Sequence, residues 1–354
     1  MAELRKVGVV GTGPMAAGIA QLCVQSGLEA LLLGDSLDAL GWAEDAVLRG
    51  LERAEQPAAF SLLRTATDLG RLRDCDFVIE SAADGLEAKK ALLRQLDACL
   101  PAGCAIGAQS AVLPIGLFAA AVENPDRVVG VRFFPPVPSS RLMELARGAG
   151  SSDAAVASAA ALAERLGKEV LRVKDSPGFA AARLSRPFYL AAMRLLERGA
   201  GTPATIDEAL RAKMGVRFGP FVLADAAGLE EELSVSASIY DLLARPERLK
   251  PCAIQEKLLA RGCRGRKNSR GFYLYGDNAP GTVNPLLGEL LPAMGSRPAP
   301  AEEIFRAVLG AIVAEAKTMA EEGIASVGGI DAAARLALGW PRGPFEWAQS
   351  LEGG

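Results

Sequence analysis

Six residues near the N-terminus carry the clearest chemical signal: Gly11-Thr12-Gly13-Pro14-Met15-Ala16. They follow a short apolar run, Val7-Gly8-Val9-Val10, and open a stretch with helical spacing. In that context G-x-G-x-x-A reads as a phosphate cradle. Gly11 permits a tight turn, Gly13 lets a pyrophosphate approach the backbone, and Ala16 allows close packing of helix on strand. The helix N-terminus then offers unpaired N–H groups and a positive dipole. Asp35 closes the next apolar run, about 20 residues on, where a carboxylate accepts the ribose hydroxyls of adenosine. No Arg or Lys follows Asp35 closely, which favours NAD over NADP as the cofactor.

Other chemistry is removed by composition. The chain has no histidine. His-dependent triads, His metal sites and an imidazole general base are therefore excluded. The cysteines are Cys23, Cys75, Cys99, Cys104, Cys252 and Cys263, without a C-x-x-C pair. That spacing argues against a zinc cluster, a redox dithiol or a disulfide framework, and no metal is expected. With 39 basic against 42 acidic residues, nothing favours nucleic acid or an anionic membrane as partner. No apolar run is long enough to span a bilayer, and no signal-peptide pattern precedes the first strand. A soluble cytoplasmic protein is the expectation.

The elements that must position the cradle are legible as alternation. Strand-like runs fall at Val7–Val10, Ala30–Gly34, Phe77–Glu80, Cys104–Ala108, Val128–Phe133 and Val170–Val173. Helical patterns lie at Met15–Ser26, Leu37–Ala54 and Leu86–Cys99. Alternation of this kind predicts an α/β, Rossmann-type doubly wound sheet. From Pro177 the strands stop, and helical patterns begin with Phe179–Arg198, interrupted only by Pro187. The expected division is a nucleotide-binding domain over 1–176, a first helical module over 177–276, a linker over 277–300 and a second, shorter helical module over 301–354.

The two helical modules repeat each other. Ile206-Asp207, Gly215 and Gly219-Pro220-Phe221 recur as Ile330-Asp331, Gly339 and Gly343-Pro344-Phe345, at a constant offset of 124 positions. Internal duplication of one module explains the preserved register. The copies are expected to pack about a pseudo-two-fold axis, which makes either a monomer or a homodimer feasible. Phe133, Phe134, Phe218, Phe221, Phe345 and Trp347 are expected in the core. The basic run Arg264–Arg270 reads as a solvated turn.

Several segments together resemble the 3-hydroxyacyl-CoA dehydrogenase family. They are the opening Gly11–Ala20, Glu80 with Leu86-Glu87-Ala88-Lys89-Lys90, Lys174-Asp175-Ser176-Pro177-Gly178-Phe179, both Gly-Pro-Phe blocks and Arg266–Tyr275. The doubled module is similar to the bacterial branch, which includes 3-hydroxybutyryl-CoA and 3-hydroxyadipyl-CoA dehydrogenases. The resemblance implies NAD-dependent oxidation of a 3-hydroxyacyl-CoA in fatty acid metabolism, with an acyl-CoA-like small molecule as partner. It puts Gly11, Gly13, Pro14, Met15, Asp35, Glu80 and Lys89 on the cofactor side, with Lys89 and Lys90 near the CoA phosphates.

On the substrate side the chain departs from that family. Where the family has a catalytic His, this sequence has Arg132, in Arg132-Phe133-Phe134-Pro135-Pro136; the companion Glu is Glu144. Ala111 and Ala182 stand at the positions of the substrate-contacting Ser and Asn. A guanidinium stays protonated far above neutral pH, so Arg132 cannot act as a base. It can pair with Glu144, bind an anion or polarise a carbonyl. Lys174 is a further candidate by family position, although a strand-end lysine is commonly solvated. Two functions follow as expectations: a family oxidoreductase with impaired or altered substrate chemistry, or a catalytically degenerate NAD- or acyl-ligand-binding homologue that senses or interacts.

Overall fold

The computed structural model describes residues 4–82, 85–276 and 279–352. The chain divides into two compact units, Met1–Phe179 and Ala180–Gly354. The first unit runs β1 (Lys6–Val10), α1 (Pro14–Gln25), β2 (Glu29–Leu33), α2 (Leu37–Arg53), β3 (Leu63–Ala66), β4 (Phe77–Glu80), α3 (Leu86–Cys99) and β5 (Ala105–Gln109). It continues with α4 (Gly116–Ala119), β6 (Val128–Arg132), β7 (Leu142–Arg147), α5 (Asp153–Arg165) and β8 (Glu169–Lys174).

These strands make one sheet in the order β3-β2-β1-β4-β5-β6-β7-β8. The six strands β1 to β6 are mutually parallel, β7 runs antiparallel to β6, and β8 is parallel to β7. Strands covered on both faces need near-continuous apolar sequence. Val7, Val9, Leu32, Phe77 and Ile79 meet that need and are fully buried. The strand order reverses between β1 and β4, which opens a crevice at their carboxyl ends. The expected strands are present; β3 and β7 are additions. Neither shows an uninterrupted apolar run, since Arg64 lies within β3 and Glu144 within β7.

The second unit comprises α6 (Ala181–Glu197), α7 (Pro203–Met214), α8 (Pro220–Ala227), α9 (Leu229–Leu242) and α10 (Ala253–Ala260). A hairpin of β9 (Tyr273–Gly276) and β10 (Ala279–Val283) follows, then α11 (Leu286–Leu290), α12 (Ala301–Glu321), α13 (Val327–Leu336) and α14 (Pro344–Glu352). The stretch read as a linker over 277–300 is corrected from residue 279 onward, because it holds β10 and α11. Its Gly and Pro content conceals two anchors: Leu287 is fully buried, and buried Asn284 donates from Nδ2 to Gly271 O at 2.8 Å. Asp277 and Asn278 lie outside the described residues.

The repeated residues form one device twice. Asp207 Oδ1 accepts from Phe221 N at 3.0 Å, and Asp331 Oδ1 accepts from Phe345 N at 3.0 Å. Each carboxylate satisfies an orphan N–H at the start of the following helix. Glycine is required before the proline because a Cβ on Gly219 or Gly343 would lie 2.3 or 2.0 Å from that carboxylate. The equivalent helices α6 and α12 pack together. Arg183, near the start of α6, pairs with Glu315 in the last third of α12 and with Glu322 just past its end.

Of the aromatic side chains expected in the core, Phe133, Phe134, Phe221 and Trp347 are buried and Phe345 is half-buried. Phe218 is a correction: it is 43% exposed on the turn between α7 and α8. The basic turn is exposed as expected, with Arg264 beside Glu230 and Lys267 beside Glu231.

Burial pushes the Asp207 carboxyl up to about 7 and that of Asp225 up to about 6. An unfolded aspartate releases its proton near pH ~4. Between these values the folded chain retains protons that the unfolded chain has lost. Their contribution to stability therefore falls as pH rises through the window. Urea unfolding midpoints are expected to drop between about pH 4 and about pH 7, and Asp207→Asn is expected to shrink that drop. An unchanged drop in the variant would assign it to other groups.

Candidate functional site

The crevice at the β1–β4 reversal is built mainly from backbone. Gly11 leaves β1 at φ +126°, and a Cβ there would stand 2.5 Å from Ser81 O. Only glycine permits that conformation and that approach. Gly13 caps α1 in an extended conformation with no side-chain hydrogen bond, and the space around its missing Cβ is open to 4 Å. Pro14 follows at the first helical position, where its absent N–H costs nothing. Ala16 is fully buried, and Met15 is half-buried against the sheet core. The α1 N–H groups thus face a cavity of about 660 Å³ lined by Gly11, Gly13, Asp35, Thr67, Ser81 and Gln95, among others.

An NAD molecule fits this arrangement. The uncapped α1 terminus suits a pyrophosphate, and exposed Asp35 at the end of β2 suits a ribose. Asp35→Ala is expected to weaken NAD binding by about 1.5–3 kcal/mol, the worth of one or two charge-assisted hydrogen bonds. Calorimetric titration of both proteins checks this, and equal affinities would remove Asp35 from the site.

Glu80 and Lys89 form a buried pair directly behind the wall of this cavity. Both are buried, and Lys89 Nζ stands 2.7 Å from Glu80 Oε2 and donates to Gln109 O at 2.8 Å. Glu80 Oε1 accepts from Ala82 N at 2.9 Å. The pair knits the ends of β4 and β5 to α3 beneath the cavity wall. Lys90, by contrast, pairs with Glu87 on the outer face of α3. That contact holds the Glu87 carboxyl below its usual range.

On the opposite side of β5, Arg132 and Glu144 face each other directly across the β6–β7 pair. Arg132 Nη1 lies 3.7 Å from Glu144 Oε2 and donates to Gly178 O at 3.3 Å. Its guanidinium also sits 4.9 Å from the centre of the Phe134 ring. Glu144 is 1% exposed on its side chain and Arg132 14%. Ala111 is exposed just beyond β5, Lys174 is exposed at the end of β8, and Ala182 is buried in the first turn of α6 in the other unit.

Three positioning groups were not found from the sequence. Gln109 Oε1 accepts from Phe133 N at 3.0 Å, which ties β5 to the residue after Arg132. Asp175 accepts from Ile115 N and Gly116 N, at 2.6 and 2.8 Å, and burial raises its pKa. Gly178 N donates to Val112 O at 2.8 Å, so the Asp175–Gly178 segment braces the loop carrying Ala111. Lys168 donates to Val137 O and Ser140 O in the turn after Arg132, and burial pushes its ammonium down to about 8. The unusual charge of a lysine or aspartate next to loop glycines and prolines was the only available signal.

Comparison with known proteins follows the same division. The profile for the 3-hydroxyacyl-CoA dehydrogenase NAD binding domain matches residues 6–176. The profile for the C-terminal domain of the same dehydrogenases matches 178–275 and 304–352. A 3-hydroxyadipyl-CoA dehydrogenase of Escherichia coli (strain K12) is 34% identical over 77% of this chain and 59% of its own length. A 3-hydroxybutyryl-CoA dehydrogenase of Bradyrhizobium diazoefficiens is 32% identical over 77% of this chain and 96% of its own. The crystal structure of a 3-hydroxybutyryl-CoA dehydrogenase from Escherichia coli K12 superposes with a TM-score of 0.87 at 26% identity, covering 99% of this chain and 92% of that one. No helix among the described residues is long and apolar enough to cross a membrane. With its N-terminal NAD-binding domain and two stretches matching the C-terminal domain, the chain belongs to the 3-hydroxyacyl-CoA dehydrogenase family.

Proposed function

We propose that this protein binds NAD and an acyl-CoA-type ligand but oxidises ordinary 3-hydroxyacyl-CoA substrates slowly. The observation that carries the reading is the Arg132–Glu144 pair, which stands opposed across two strands in a chain without histidine. NAD, when bound, supplies a hydride acceptor. The Gly11–Ala16 turn and Asp35 hold and orient it. Hydride loss from C3 of a 3-hydroxyacyl-CoA also needs a group to take the proton of the 3-hydroxyl, so that the C3–O bond can become a carbonyl. A good base titrates near the working pH, and a guanidinium does not.

Arg132 has a different competence. A fixed cation favours negative charge on a nearby oxygen, as in a carbonyl being polarised or a carboxylate being bound. Gln109 and Lys168 support this role by fixing the backbone that follows it, at Phe133 and at Val137. The reading predicts NAD affinity without matching turnover. NADH formation from a panel of 3-hydroxyacyl-CoA substrates, measured beside an NAD titration, tests it. Fast NADH formation from an unmodified member of that panel would overturn it. A second reading, a purely binding homologue, gains support from the same pair together with Ala111 and Ala182, and it predicts NAD binding with no NADH formed at all.

A further inference from the structure

The duplication supplies an internal control for one pocket in the helical unit. In the second module Arg335, on α13, is ion-paired with Glu346, on α14. Glu346 Oε2 also accepts from Gly343 N at 2.7 Å. The residues equivalent to Arg335 and Glu346 at the offset of 124 are Arg211, on α7, and Val222, on α8. The first module therefore keeps the arginine and lacks the carboxylate that satisfies it. Arg211 makes no salt bridge with any described residue, whereas Lys213 on the same helix pairs with Glu302 at 3.0 Å.

The unmatched guanidinium opens on a cavity of about 410 Å³. Arg217, Phe218 and Val222 line the cavity with it, and Asp207 and Tyr273 form its floor. Arg217 likewise has no carboxylate partner among the described residues; its guanidinium stacks 5.1 Å from the centre of the exposed Phe218 ring. The equivalents of Arg217 and Phe218 in the second module are Pro341 and Arg342, so this second cation and its aromatic support belong to the first copy alone. Asp207 adds little repulsion: its oxygens are engaged by Phe221 N, Val222 N and the Tyr273 hydroxyl. Glu208 is the one further carboxylate among the residues lining the cavity.

From this we infer that the first helical module binds a small dicarboxylate, one carboxylate on Arg211 in the place that Glu346 fills in the second module and the other on Arg217. Guanidinium forks match planar carboxylates. The cavity volume lies within the range of small-molecule sites. This site is separate from the crevice that holds the nucleotide and does not depend on the proposed reaction.

The full chain titrated calorimetrically with succinate tests it, with acetate and inorganic phosphate as comparison anions. Saturable succinate binding is expected, with acetate and phosphate each at least about tenfold weaker. Arg211→Ala is expected to weaken succinate at least about tenfold. Val222→Glu, which installs the carboxylate of the second copy, is expected to abolish succinate binding and raise Tm, leaving NAD affinity unchanged. Wild-type helical circular dichroism and a cooperative urea transition certify that the helical unit of each variant is folded, and Arg217→Ala gives an independent reading should either variant fail to fold. No saturable binding by the wild type, or succinate binding that survives both Arg211→Ala and Val222→Glu, overturns the site. Phosphate binding more tightly than succinate overturns the dicarboxylate assignment.

Discussion

The combined change Arg132→His, Ala111→Ser and Ala182→Asn is expected to raise NADH formation from 3-hydroxybutyryl-CoA by at least about 10²-fold. Positioned general-base catalysis contributes about 10²–10⁴-fold. The strand register supplies the reason that position 132 suits an imidazole. Glu144 is the direct cross-strand partner, already buried, and a buried carboxylate orients an imidazole and stabilises its charged form. Arg132→His alone is expected to restore little, because the family's substrate-contacting Ser and Asn are also replaced in this chain, by Ala111 and Ala182. Adding Glu144→Gln to the triple variant is expected to lower the rate again. The pH profile of the triple variant should show an imidazole ionisation, raised by Glu144 above the free value of about 6.5, and Glu144→Gln should lower it. A triple variant that binds NAD and remains inert would show that the loss of turnover does not reside in these three positions.

A second large effect is expected on stability. Lys89→Met removes one partner of a pair whose side chains are 2% and 0% exposed. The methionine keeps the apolar stem, so the loss isolates the charge. An uncompensated buried carboxylate costs about 3–5 kcal/mol. Urea unfolding should show a loss of that size, and Glu80→Gln introduced into the same chain should recover part of it by removing the stranded charge. NAD affinity should fall as well, since Glu80 holds Ala82 N in the cavity wall. A loss below about 1 kcal/mol would mean that water reaches Glu80 once the ammonium is gone.

The nucleotide crevice was legible because backbone geometry dictated its residues. Gly11 is forced by its positive φ and by its distance to Ser81 O, and both demands leave a mark in the sequence. The Asp-to-helix caps were visible as a repeat before they were visible as hydrogen bonds. Side-chain pairings left no such mark. The sequence does not say that Glu80 lies 2.7 Å from Lys89 across a strand end. The same limit hid Gln109, whose bond to Phe133 joins residues far apart in the chain. The strand β7 was missed because Glu144 breaks its apolar run, and the sequence does not show that Arg132 stands opposite this buried carboxylate. The supposed linker was misjudged for the converse reason: Gly and Pro mark turns within a packed hairpin as readily as they mark a tether.

Arg183 meets Glu315 once, and its equivalents at the same offset, Ala307 and Ala191, make no second such contact. In a symmetric homodimer every interface residue appears twice, so a substitution is expressed on both sides of the axis at the same moment. Two modules on one chain are released from that rule. Each half of the interface can change by itself, and a cation introduced on one side can be answered by a carboxylate on the other without also meeting its own copy. The Arg183–Glu315 contact and the Val222/Glu346 difference are two places where this chain has used that freedom.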